Sequence, residues 1–357
     1  MKEEILNVLR CQQCLAKLTF REDKLTCNAC DMVYPLSKNL IFMGYDKNRE
    51  NEARETITTE RNHQTNLDDV QKHYNFAYPS FKISLHSIRI LKHDVKKQNP
   101  VAIDIGSGGT ATSKMLSEKG FDTYRCELDP NSLYSGLFWR HSNLCAGKHI
   151  VCDASILPFE NNSIDVVFCK EFVHHIQDYK SLFNEVNRVL KKDGVFLMIE
   201  PTLTIYNHVK SLFKQKVANH PGHHYQTITR YFSALNKTGF LPYRYYLYHY
   251  GPSKKIKILN RLKQFCHSQI YKMQETSKIS LFLKMFVQNI IGSSNVVFLR
   301  KIKNISTYKA RPRIQTVEIS QLILDENYLN DVRLKKFNEI LNEVSNKLRS
   351  ENFHSKE

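Results

Sequence analysis

Residues 101–109 read VAIDIGSGG, a short apolar run that closes on an acid and then on glycines. Such a run has the form of a buried parallel strand delivering its chain to a ligand, because glycine lets the backbone approach closely and turn sharply. Outward from that turn, apolar runs alternate with helical spacings. Strands are expected at 101–106, 122–127, 149–153, 164–170 and 194–200, with helices near 111–119, 131–142 and 179–191. This alternation implies an α/β fold with a parallel sheet and right-handed crossovers, whose ligands lie outside the carboxyl ends of the strands.

Acids stand at those ends. Asp104 precedes the glycine turn, Glu127 closes the second strand in CELDP, Asp153 closes the third in CDA, and Glu200 closes the fifth before Pro201. Glu127 is where a carboxylate accepts both ribose hydroxyls. Asp153 is where one accepts from an exocyclic amine. Asp129 reads instead as a cap for the helix that begins near Asn131. The pattern GxxxxGK[ST] is absent, and a dinucleotide would want a third glycine where this chain has Ala111 or Thr112. A nucleoside without pyrophosphate fits better.

Toward the N-terminus, Cys11-Gln-Gln-Cys14 and Cys27-Asn-Ala-Cys30 place four thiolates at a spacing that suits one tetrahedral Zn²⁺. Four cysteines leave no open coordination position, so the expected metal role is structural. Residues 46–66 are polar and read as a linker. Tyr74, Phe76 and Tyr78 follow, ahead of a helical spacing from Ile83 to Val95, and read either as a packed lid or as part of a closing pocket.

The formal charge is +17, from 52 Lys and Arg against 35 Asp and Glu, which favours an anionic partner. RNA, an anionic membrane surface reached peripherally and a phosphorylated substrate all stay open. No basic-then-apolar leader and no transmembrane segment is read. The run 279–299 is interrupted by Lys284, Gln288 and Asn289. Nine cysteines arranged for metal and burial suggest no disulfide framework, and a cytoplasmic location is the default expectation.

The residues around the four cysteines, with Tyr34-Pro35 and the apolar exit 40–43, resemble the zinc ribbon found as an activator subunit of several methyltransferases and as an N-terminal fusion to others. The run CDASILPFENNSIDVVFCKEFVHHIQDYKSLFNEVNRVLKKDGVFLMIEP resembles class I S-adenosylmethionine-dependent methyltransferases of the type 11 branch. That resemblance implies a Rossmann-like seven-stranded sheet with helices on both faces, preceded by the ribbon. It implies S-adenosyl-L-methionine as cofactor, held by Asp104, Gly106, Gly108, Glu127, Asp153, Ala154 and Lys170, with Lys170 and Glu171 lining the methyl-donor side. The family's usual third glycine falls where this chain has Thr110.

The expected organisation is a zinc ribbon at 1–45, the linker, a methyltransferase domain at 67–305 carrying a basic helical insertion at 253–292, and a basic segment with a terminal amphipathic helix at 306–357. Within the domain, 240 onward reads as a sixth strand and 295–301 as a seventh, antiparallel strand. Glu185 and Arg188, three apart, are expected to pair on one helix face. His174 and His175 are the candidate bases. His220, His223 and His224 could bind a metal or supply a base, but read first as a solvated, flexible loop over the cleft, because no carboxylate or cysteine accompanies them. Three functions stay open: methylation of a small or lipid-linked acceptor, methylation of RNA, and a non-catalytic binding protein that keeps the fold.

Overall fold

The computed structural model of the chain describes residues 5–22, 24–37, 39–44, 70–108, 111–130, 132–133, 148–205, 209, 223–248, 278–291 and 294–305. The expected linker, Gly109 and Thr110, most of the 131–142 helix, His220, the insertion before 278 and the tail from 306 lie outside these residues. So do the side chains of Tyr74, Phe76 and Tyr78.

The chain begins with antiparallel strands β1 (Leu18–Arg21), β2 (Lys24–Cys27), β3 (Val33–Ser37) and β4 (Leu40–Phe42). Helix α1 (Val70–Asp94) follows, then β5 (Val101–Ile105), α2 (Ala111–Glu118), β6 (Asp122–Glu127), β7 (His149–Val151) and β8 (Ile164–Lys170). After a single 3-10 turn at Val173–His175 come α3 (Tyr179–Val189), β9 (Leu190–Pro201), α4 (Ile228–Lys237), β10 (Phe240–Tyr248), α5 (Lys278–Ile291) and β11 (Ser294–Lys301). The strands lie in the order β1-β2-β3-β4-β7-β6-β5-β8-β9-β11-β10.

From β7 to β10 this is the expected seven-stranded sheet. Strands β5 to β9 pair in parallel, and β11 enters antiparallel between β9 and β10. Period-two alternation divides the sheet into two apolar faces. Ile103, Ile105, Val167, Cys169, Phe196 and Met198 face α3 and α4 through Leu182, Phe183, Tyr231 and Leu235. Ala102, Val166, Phe168, Leu197 and Ile199 face α1 and α2 through Ile88, Leu91, Met115 and Leu116. Chain order reverses between β5 and β8, which opens a crevice at their carboxyl ends.

Two findings depart from the sequence reading. Helix α1 starts at Val70 and runs through Pro79, so the aromatic stretch is its first part rather than a segment ahead of it. Proline there forfeits one backbone hydrogen bond; burial of Phe81, Ile88 and Leu91 on the sheet offsets that local cost. Strand β9 begins at Leu190, directly after α3, four residues earlier than the expected 194.

The four-cysteine segment is also more than an appended module. β4 pairs in parallel with β7, Leu40 to His149 through Phe42 to Val151, and so covers what would otherwise be an exposed sheet edge. Arg10 N donates to Pro158 O at 3.0 Å, Met43 N to Val151 O at 2.8 Å, and Gln12 Nε2 to Ile156 O at 2.5 Å. Phe159 is fully buried at this junction, bridged to Leu9 and set edge-on to Tyr124 at 5.6 Å. Phe159→Ala is therefore expected to lower unfolding free energy by about 3–5 kcal/mol. Chemical denaturation should show one shared transition for the four-cysteine segment and the sheet; two separated transitions would contradict the joined core.

Candidate functional site

The glycine turn sits at the crevice, at the end of β5. Gly106 has φ +66°, and its N–H donates to Cys126 O of the neighbouring strand at 2.9 Å. A Cβ on Gly106 would fall 2.2 Å from the ring of Phe172, so this glycine allows the β8 turn to close over β5. Gly108 has φ +44° and the opposite surroundings, with nothing among the described residues within 4 Å of an added Cβ. Ser107 Oγ between them is buried without a hydrogen-bond partner among the described residues.

Asp104 lies beneath that turn and accepts from Thr112 Oγ1 at 2.7 Å and Ser113 Oγ at 2.5 Å. It thereby pins the start of α2 to β5. Burial pushes its carboxyl up to about 6, against the pull of the two hydroxyls. Glu127 ends β6 and accepts the N–H of Gly108 at 2.9 Å, Leu128 at 2.8 Å and Asp129 at 3.3 Å. Burial pushes this carboxyl up to about 7, although the Gly108 N–H favours its charged form. Asp129 caps as expected, taking Ser132 N at 3.1 Å and Ser132 Oγ at 2.7 Å.

Beside Glu127, Cys152 N donates to Glu127 O at 2.9 Å and leads the chain to Asp153 and Ala154, both buried. Asp153 Oδ1 accepts Ser155 N at 2.8 Å and Ser155 Oγ at 2.7 Å, which orders the turn. Arg188 holds the following Leu157-Pro158-Phe159 turn, donating to Leu157 O at 2.7 Å and Phe159 O at 2.6 Å while paired twice with Glu185 at 2.8 Å. The expected local pair exists, and it also clamps the loop that carries Asp153. Lys170 ends β8 with Nζ 4.9 Å from the Phe81 ring centroid, against α1.

Across the crevice, Glu200 is fully buried at the end of β9. It accepts the backbone N–H groups of Phe172, Val173 and His174, each at 3.1 Å. The same carboxylate bonds His174 Nδ1. His174 is 4% exposed and His175 is half-buried. The reading of His223 as part of a solvated loop needs correction: His223 packs on both, with ring centroids 4.9 Å from His174 and 4.6 Å from His175. Tyr225 stacks on His174 at 4.5 Å, its ring 9° from parallel, and its hydroxyl meets His223 Nδ1 at 3.0 Å. A carboxylate does accompany these histidines; it arrives from β9, about two dozen residues upstream of the loop. The cluster's one legible trace in sequence is the recurrence of His at 174, 175, 223 and 224.

The four cysteines form a second cluster, their sulfurs all within 4.8 Å of one another. Cys11 and Cys30 lie 3.5 Å apart, as do Cys14 and Cys27. Thiolates 2.3 Å from a tetrahedral ion stand about 3.8 Å apart, so the set fits a closed thiolate site. Tyr34 Oη contacts Cys11 Sγ at 3.1 Å and accepts Gln12 N at 3.0 Å, bracing the first knuckle.

With this geometry in place, the chain can be compared with known proteins. Residues 103–198 match the family model of a methyltransferase domain. A demethylmenaquinone methyltransferase of Staphylococcus aureus is 38% identical over 157 residues, covering 41% of this chain and 64% of that protein. The mitochondrial arginine-hydroxylase NDUFAF5 of Danio rerio is 27% identical over 106 residues, 29% of this chain and 32% of that protein. The chain thus spans less than two thirds of the length of these relatives. Among solved structures, a Haloferax volcanii complex between the Trm112 methyltransferase activator and a candidate methyltransferase resembles this chain with TM-score 0.45 at 12% identity, covering 66% of this chain and 93% of that one. The methyltransferase-domain match runs from within β5 to most of β9, and hence takes in the glycine turn, Glu127, Asp153 and His174.

The two glycines differ in what surrounds them, and substitution should separate them. Gly106→Ala is expected to cost more than about 2 kcal/mol through the clash with Phe172, whereas Gly108→Ala should cost only the left-handed backbone strain of about 1–2 kcal/mol. Equal losses in urea denaturation would refute this difference.

Proposed function

We propose that the chain is an S-adenosyl-L-methionine-dependent methyltransferase acting on a small-molecule or lipid-linked acceptor. The observation that carries this reading is the pairing of Glu127 with the open side of Gly108 at the switch of strand order. A strand-end carboxylate beside bare backbone suits a nucleoside with free ribose hydroxyls, and Ser107 Oγ offers an uncommitted polar atom next to it. In this reading Glu127 accepts the ribose hydroxyls, Asp153 and Ala154 border the adenine, and Gly106 and Gly108 lie along the methionine portion. Asp104 positions the turn from below, and Lys170 faces the donor side.

When bound, the cofactor supplies a methyl group already activated on a sulfonium. The protein then has to align the acceptor, exclude water and, for an acceptor that must lose a proton, provide a base. His174 and His175 stand at the β8 end across from the glycine turn. Glu200 fixes the His174 ring through Nδ1, leaving Nε2 as its proton-accepting atom. The demethylmenaquinone methyltransferase supports the lipid-linked class of acceptor by likeness. Four cysteines with this spacing and geometry best suit Zn²⁺ in a structural role. A cytoplasmic setting is part of the proposal; among the described residues no helix is long and apolar enough to cross a membrane.

The charge of +17 favours a second reading, methylation of RNA with the ribbon and basic surface as the docking face. Radiolabelled methyl transfer into fractionated cell extract separates the two. Label in the lipid or small-molecule fraction is expected; label in RNA, with RNA affinity falling steeply from low to moderate salt, would replace the first reading by the second.

The raised Glu127 carboxyl yields a pH test. Its folded-state value of about 7 lies above the ordinary carboxylate range, so the cofactor-free fold favours the protonated acid, and that contribution is lost as pH rises through 7. Hydroxyl donors bind the ionised form. Cofactor affinity measured by calorimetry is therefore expected to rise about tenfold from pH 6 to pH 8. In Glu127→Gln it should be weak and flat. No binding by the wild-type chain would leave only a non-catalytic binding protein, and a flat wild-type profile would remove Glu127 from the ribose.

A further inference from the structure

Among the described residues two clusters bring three or more metal-ligating side chains together, and the second is His174, His175 and His223. Their candidate donor nitrogens all lie within 4.8 Å of one another. They reach this arrangement from two places: His174 and His175 from the 3-10 turn after β8, and His223 from the segment ahead of α4. A backbone bond from His224 N to His174 O, at 2.5 Å, fastens the second place to the first.

The outer partners are those a metal site requires. A ligating histidine gives its other ring N–H to a carboxylate, carbonyl or water, which fixes the tautomer and aims the remaining nitrogen at the ion. His174 does this through Nδ1 with Glu200, itself fixed by three backbone donors. His223 engages the Tyr225 hydroxyl through Nδ1 at 3.0 Å, and Tyr225 stacks on His174. Nε2 is then the nitrogen that both rings present for ligation.

We propose that His174, His175 and His223 form a tri-histidine site for a divalent transition-metal ion, with a coordination position left for the methyl acceptor. Three neutral imidazoles suit Zn²⁺ and its neighbours, and three protein ligands leave a further position open, unlike the four-cysteine site. The ion binding stands on the geometry alone; its role toward an acceptor rests on the methyltransferase reading. There it changes what the histidines do. With Nε2 committed to the ion, His174 would be a ligand rather than a base, and an acceptor hydroxyl bound at the open position would give its proton to solvent water more readily because the cation stabilises the resulting oxyanion, which then takes the methyl group as the donor's sulfonium becomes a neutral thioether.

The test uses the full chain with zinc in its four-cysteine site, dialysed free of loose metal and titrated with Co²⁺. Wild type is expected to take up one additional ion per chain, giving ligand-field absorption without a thiolate-to-cobalt charge-transfer band. His223→Ala should abolish that uptake while elemental analysis still finds the ribbon zinc, and His175→Ala should do the same. Tyr225→Phe, which keeps the stacked ring and removes only the hydroxyl on His223, should weaken Co²⁺ binding about 10–100-fold. No second ion in the wild type, or a second ion that survives both His175→Ala and His223→Ala, would overturn the site. If one alanine variant fails to fold by circular dichroism, the other and Tyr225→Phe still decide. Cofactor calorimetry on the same samples keeps the readings apart: cofactor binding without a second ion sinks the metal site alone, and a second ion without cofactor binding sinks the methyltransferase reading alone.

Discussion

The buried carboxylate of Glu200 is the constraint on which the cleft depends. A fully buried acid must be compensated where it stands, and this one is met by three consecutive backbone N–H groups and an imidazole. Satisfying it forces the chain after β8 into a tight 3-10 turn, which brings Phe172 over Gly106 and sets His174 facing the crevice. The backbone carbonyl of the same residue accepts Asn295 Nδ2 at 3.1 Å, so β11 is tied to the same point. One residue thus couples three strands, the glycine turn and the histidine cluster.

The opposite edge of the sheet obeys a different constraint. β7 has only three residues, and an open parallel edge there would expose unpaired backbone groups. β4 covers it and is itself held by the β3 hairpin of the four-cysteine segment. Stability and site geometry are linked by this arrangement, because the turn carrying Asp153 runs directly beneath the junction at Phe159. The folding of the four-cysteine segment therefore bears on the turn that carries Asp153 as well as on its own strands.

Helix α5 inverts the usual amphipathic pattern. Lys284 and Gln288 are buried, donating to Tyr245 O at 3.0 Å and Thr202 Oγ1 at 2.7 Å, while Phe282 and Phe286 are 68% and 56% exposed. Burial lowers the Lys284 amine below its ordinary value. Lys301 is a parallel case, its amine pushed down to about 8 by burial and held by Asn162 Oδ1, Asn187 O and Leu190 O. Reading 279–299 by hydropathy treats Lys284 and Gln288 as interruptions of an apolar run; in the fold they are the inward face.

Local spacing alone determined the alternating strands, the acids at their ends, the Asp129 cap, the Glu185–Arg188 pair and the two cysteine knuckles, because each is decided by residues within a few positions of one another. The acids were legible as strand-end groups, but their partners were not: Asp104 turned out to pin α2, and Glu200 to hold the 172–174 turn. The tertiary structure decided the long-range matters: β4 completing the sheet beside β7, α1 continuing through Pro79, Lys284 turned inward, and His223 meeting His174 and Glu200. Each joins segments far apart in the chain, where packing and the need to satisfy buried polar groups outweigh local propensity. A single sequence carries no record of such pairings, so VAIDIGSGG could announce a ligand turn while the residues facing it became visible only in the folded chain.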